Sequence, residues 1–293
     1  MEPPLGLGLI LEFQPHDVLI DTARSRLYLN RRLGASIVQV DYTSMRVINT
    51  RELLSSPDFM DLSDNGFGLE LYVPVAGSIN MYEAETLSQI GSINTGYSAT
   101  SVVTDGRGHV FVSPMRVYSR SDGHYSSDIS DYNGRLRFLA SDREIISIGS
   151  AEMSYFRFDS NGNIVTHTED RYHGDYPLDH YIYRVSPGGE FLITSGSGAI
   201  YTADSTMTYV GQLTLDNPTF SDFAFDARGN TIYAGVSSER SILVYEYPSL
   251  TNAGAIATWG YPQFVFRDGD RLVCVSRVPG DRLRVGIEVV RIP

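Results

Sequence analysis

The chain has one cysteine, one tryptophan and, among its 23 basic residues, no lysine. A single cysteine rules out an internal disulfide and a cysteine-based metal site. Cys274 lies in the apolar run 272–275 and reads as a buried small hydrophobe, because a reactive thiol needs exposure and a lowered pKa. The net charge is -12 and no run of basic residues offsets it locally, which argues against a nucleic-acid partner, since binding a polyanion needs a basic stripe. No apolar run approaches the roughly 18 residues of a membrane-spanning helix. The first thirteen residues lack the basic leader of a signal peptide. Serine-elbow, phosphate-loop and zinc-helix motifs are missing too, and the glycines at 6 and 8 lack the strand and helix of a dinucleotide loop.

What the sequence does have is a short pattern that returns seven times. Its best copies are SIVQVD (Ser36–Asp41), SINMYE (Ser78–Glu83) and SILVYE (Ser241–Glu246), with looser ones beginning at 116, 154, 199 and 284. The starts are 38 to 45 residues apart, a period that signals units unable to bury an apolar face alone. Around each copy a four-strand unit can be traced: a first apolar strand, a turn rich in Asp, Gly, Asn and Arg, a second strand, the recurring third, and a more polar fourth. The turn DARGN (226–230) recurs as DTARS (21–25), DGRGH (105–109), SPGGE (186–190) and RDGD (267–270). Asp and Gly suit it because tight hairpins need positive backbone angles and local side-chain caps. Strands of five to eight residues rich in Val, Ile, Tyr, Phe and Thr follow, and nothing reads as a helix.

The expected architecture is all-β, a single domain over 1–293 forming a seven-bladed β-propeller of four-stranded antiparallel blades. The blades centre on residues 18–53, 60–96, 99–133, 136–170, 181–216, 220–260 and 263–293. The last has only three strands of its own, and the apolar stretch 7–13 can supply the fourth and leave no open edge. Apolar residues at 42% and aromatics at 11% are ample for such a core.

The stretches DTARSRLYLN with SIVQVDYTS, DARGNTIYAG with SILVYEYPS, and LELYVPVAGSINMYEAET resemble the blade signature of the YVTN/lactonase-like seven-bladed propellers. The resemblance covers nearly the whole chain. Blade three, with its long 119–133 stretch, and blade four, with ASDREIISIGS in place of the Asp-Gly turn, depart from it. It implies a fold far more firmly than an activity. Lactonase members use channel-lining residues, and no such set can be matched here; Asp58, Asp222 and Glu152 lie near strand ends, but nothing selects them as ligands. The resemblance also implies an extracellular or cell-envelope location in preference to the cytoplasm.

The densest polar and aromatic stretch is DRYHGDYPLDHY (170–181), the connector between blades four and five. Tyr172, His173, Asp175, Tyr176 and His180 there read in two ways. They form an ordinary ordered loop, or they edge a site that stacks a sugar ring or holds calcium or another divalent cation. Arg32, Arg116 and Arg240 in second-to-third loops, and Tyr97, Trp259 and Tyr261 at fourth-to-first junctions, are expected on the same face. Trp259 is either a rim anchor or a blade-packing residue. His16, His109 and His124 read as isolated turn or loop residues.

With no convergent nucleophile or base, the leading expectation is a recognition or scaffold module without a cofactor, binding a protein or a carbohydrate through its loops. The competing expectation is a lactonase, polysaccharide lyase or glycan hydrolase at the channel mouth, built on His173, His180 and Tyr97. A third is a spacer within a larger multidomain surface protein. No insertion into a membrane is expected.

Overall fold

The computed structural model describes residues 7–292 except 65, 130–133, 151, 180 and 214–218. It contains seven four-stranded antiparallel sheets arranged as blades in a ring, with no helix among the described residues. The innermost strands are Asp17–Asp21, Asp61–Asp64, Val102–Thr104, Arg135–Phe138, Tyr183–Val185, Phe220–Phe225 and Tyr261–Asp268. The recurring pattern is the third strand of each blade: Ser36–Asp41, Ser78–Glu83, Arg116–Ser119, Met153–Phe158, Ala199–Thr202, Ser241–Glu246 and Val285–Arg291.

A third strand is apolar along most of its length because it is covered on both faces. In Ser36–Asp41, Val38 and Val40 pack toward blade seven while Ile37 packs toward blade two. The alternation of side chains across a strand thus serves two interfaces at once. Seven apolar clusters result, one between each pair of neighbouring blades. The ring is closed by Leu7–Leu11, which pairs antiparallel with Val285–Arg291 and supplies blade seven with its outer strand. Cys274 is fully buried between blades six and seven, and burial holds its thiol well above the ordinary range.

In blades one, four and five the acid that ends the pattern caps the turn into the outer strand. Asp41 Oδ1 accepts the Thr43 and Ser44 amides, Asp159 Oδ1 those of Asn161 and Asn163, and Asp204 Oδ1 that of Thr206. In several of the third-to-outer turns an apolar residue then takes a left-handed conformation, as at Leu87 (φ +56°) and Met207 (φ +45°), and tucks beneath the turn. Such a conformation costs a non-glycine residue about 1 kcal/mol, which the complete burial of both side chains outweighs. A bulge or register irregularity interrupts every third-to-outer pairing, the closing one included, increasing the twist where the blade splays outward.

Candidate functional site

Outer-to-inner connectors and second-to-third loops gather on one face of the ring. Where blades seven and one meet on it, three separate segments enclose a depression of about 490 Å³. Phe13, Gln14 and Pro15 come from the connector that follows the closing strand, Arg31, Arg32 and Leu33 from the loop of blade one, and Leu283 from the loop of blade seven. Leu33 is 86% exposed and Leu283 74%.

The polar groups beneath are satisfied among themselves. Asp58 pairs with Arg32 and lies 3.0 Å from His16 Nε2, the Asn30 amide donates to the Asp58 carbonyl at 2.6 Å, and the Ser56 hydroxyl donates to the Arg32 carbonyl at 3.1 Å. The His16 ring stacks on Phe59 at 4.6 Å. The two leucines, with the Arg31 guanidinium over the Phe13 ring beside them, are the groups left for a partner to cover. Gln14 and Pro15 continue into a second depression of about 260 Å³, lined also by Asp179, Tyr181, Ser195, Ser221 and Gln263 of blades five to seven.

The channel is crossed by charged side chains. Arg135, on the inner strand of blade four, reaches Asp17 on blade one: its Nη2 donates to Asp17 Oδ1 at 2.6 Å and its Nη1 to the Tyr181 carbonyl. Both members of the pair are buried, and the guanidinium lies 4.2 Å from the centre of the Phe59 ring. Arg184 on blade five makes two 2.7 Å bonds to Asp222 on blade six. These carboxylates also latch inner strands together. Asp17 Oδ2 accepts the Met60 amide, Asp61 Oδ2 the Thr104 amide and Asp222 Oδ2 the Val265 amide, each at 2.9 Å and each from the next blade. Asp222, named above among the acids near strand ends, is thus a buried structural group.

The nominated residues are distributed around the rim rather than gathered at one point. Arg32 lines the blade seven–blade one depression. Tyr97 and Arg116 meet between blades two and three, with the guanidinium 4.3 Å from the ring centre; burial raises the Tyr97 phenol above its ordinary range. In the 170–181 connector, buried Asp170 accepts the amides of Tyr172 and His173, the Tyr172 hydroxyl accepts the Tyr209 amide, and Tyr176 stacks on Tyr209 at 4.0 Å.

Tyr172 and Tyr176 hold the connector onto blade five. His173 is largely exposed, 4.0 Å from Glu152, and Asp175 is exposed, while His180 lies outside the described residues. Arg240 is exposed. Tyr261 carries the Arg277 guanidinium 4.6 Å from its ring centre. Trp259 is half-buried, its amide donating to the buried Glu288 carboxylate at 2.8 Å. Among the described residues no group of three or more His, Cys, Asp or Glu is placed to hold a metal ion. Sequence reasoning missed Phe13, Leu33 and Leu283. The available signal was a leucine embedded in a polar turn, RRLGA at 31–35 and DRLR at 281–284.

Three solved structures bear on the fold. The chain superposes on hydrazine synthase of Kuenenia stuttgartiensis with a TM-score of 0.71 at 14% identity, covering 94% of this chain and 95% of that one. It superposes on the β-propeller domain of Cps50 (Swd1) from Myceliophteria thermophila with a TM-score of 0.67 at 11% identity, covering 95% and 96%. For the WD40 repeats of RRP9 the TM-score is 0.70 at 12% identity, covering 99% and 95%. The fold is a seven-bladed propeller of the WD40 type. No family model matches the propeller's sequence, and no curated protein matches it.

Proposed function

We propose that this propeller is a protein-interaction module that takes an apolar segment of its partner at the rim between blades seven and one. The observation that carries the reading is the pair Leu33 and Leu283, exposed on two different loops over a floor in which Arg32 and Asp58 are paired with each other. Fully burying a leucine contributes about 1.5 to 3 kcal/mol, so the pair is sufficient to anchor a peptide. The continuation past Gln14 and Pro15 to the channel mouth gives an extended segment room to lie with backbone groups near Ser195, Ser221 and Gln263. A rigid ring with variable loops suits this use, and it agrees with the WD40-type fold.

A carbohydrate platform has less support, because Tyr172 and Tyr176 pack on one another and on Tyr209. An enzyme acting in the channel also has less support, since Arg135 crosses it. The YVTN-like blade signature supports placing the repeats in that lineage.

The test is affinity enrichment from cells of origin with the wild type and with Leu33→Asp/Leu283→Asp in parallel, followed by binding of the purified candidate. A loss of at least about 30-fold in affinity, the equivalent of one interface hot spot, is expected for the variant. Equal binding by both proteins overturns the assignment.

A further inference from the structure

We propose that the central channel binds a small inorganic oxoanion, of the phosphate or sulfate class, through Arg137. On the inner strand of blade four, Leu136 and Phe138 pack into the interface with blade three beside Val103 and Phe111. Strand alternation sends Arg135 and Arg137 to the opposite side. Arg135 is neutralised by Asp17, and Arg184 by Asp222. Arg137 has no such partner: it forms no ion pair and no hydrogen bond with any described residue, and its Nε is shut off from solvent.

Three cationic groups, Arg135, Arg137 and Arg184, share this region with three carboxylates, of which Asp17 and Asp222 are engaged in ion pairs. The third, Asp61, feels the charge of Arg137 without a hydrogen bond to it; burial raises its pKa, and its Oδ2 accepts the amide and hydroxyl of Thr104. Burial and then the like charges of Arg135 and Arg184 push the Arg137 pKa down to about 10, still high enough to leave it charged at neutral pH. An unpaired charge removed from water is costly, and a counter-ion removes that cost. The planar guanidinium presents donors in a fork that matches two oxygens of an oxoanion. Parts of Arg137 remain accessible, so the group can be reached. The site is inside the ring and separate from the rim groove, and its test does not depend on the docking assignment.

The experiment titrates phosphate or sulfate into protein held in low-anion buffer and follows the thermal unfolding midpoint. For the wild type a saturable rise is expected, about 5 °C at a hundredfold excess over the dissociation constant. Arg137→Met is expected to unfold at a higher temperature than the wild type in low-anion buffer and to lack the saturable rise. The same saturable response in both proteins overturns the proposal, as does none in either. A wild-type crystal soaked in selenate gives an independent reading that holds if Arg137→Met does not fold. An anomalous peak within hydrogen-bond reach of Arg137 supports the site, and a channel without one overturns it.

Discussion

Removing the Asp17 carboxylate should be one of the most damaging single changes available, because that group does two jobs in a dry place. One oxygen is 2.6 Å from Arg135 and the other accepts the Met60 amide at 2.9 Å, and neither ion-pair side chain is more than 2% exposed. Asp17→Ala leaves a buried arginine without its counter-charge, which costs about 3 to 5 kcal/mol. It also leaves a buried amide unpaired, adding about 1 to 3 kcal/mol. Against a total stability on the order of 5 to 15 kcal/mol, the variant should stand near the edge of folding. In Asp17→Ala/Arg135→Met the uncompensated charge is gone and an apolar chain of similar length fills its path. That double variant should recover about 2 to 4 kcal/mol relative to Asp17→Ala alone. Urea unfolding at fixed pH and salt measures all four members of the cycle. A cost below about 1 kcal/mol for Asp17→Ala, or a double variant as unstable as the sum of the singles, would refute the idea of a bridge across the ring.

Deleting residues 1–11 removes the outer strand of blade seven and bares the edge of Val285–Arg291; light scattering during a thermal melt should show early aggregation, and an unchanged melt would mean that closure contributes little. Alkaline titration supplies another test. Burial, aided by donation to Asp268, pushes the Tyr42 phenol from its ordinary 10 up to about 12, and burial also raises Tyr72, Tyr155, Tyr183 and Tyr201. Between these values the unfolded chain holds fewer protons than the folded one, so the stability present below pH 10 is lost as the pH rises toward 12. Tyrosinate absorbance should therefore grow in step with loss of the β-sheet signal; smooth ionisation in a protein that stays folded would contradict it.

Sequence periodicity made the ring legible because each blade repeats the same local problem. SIVQVD, SINMYE and SILVYE each carry an apolar strand for two interfaces, and in the first two the closing acid, Asp41 or Glu83, also bonds into the turn that follows. Closure by the N-terminal strand was legible for a related reason, since the last unit had a third strand and no fourth. The channel was not. Asp17 and Arg135 are 118 positions apart, and no local pattern marks an arginine that crosses a ring. The rim groove was equally hidden, because Phe13, Leu33 and Leu283 belong to three loops that only closure brings together. Conversely, the 170–181 connector drew attention through composition, whereas its Tyr172 and Tyr176 are used for packing against blade five.

The most direct test of the docking surface is site-specific photocrosslinking in cells. A photoreactive residue is placed at Leu33 in one protein and, in another, at Val165, which is 53% exposed on an outer strand away from the groove. A discrete adduct from Leu33, absent from Val165 and abolished by Leu283→Asp, is the expected result. Adducts of equal yield from both positions, or none from Leu33, would contradict the assignment of this rim as the place where the propeller meets its partner.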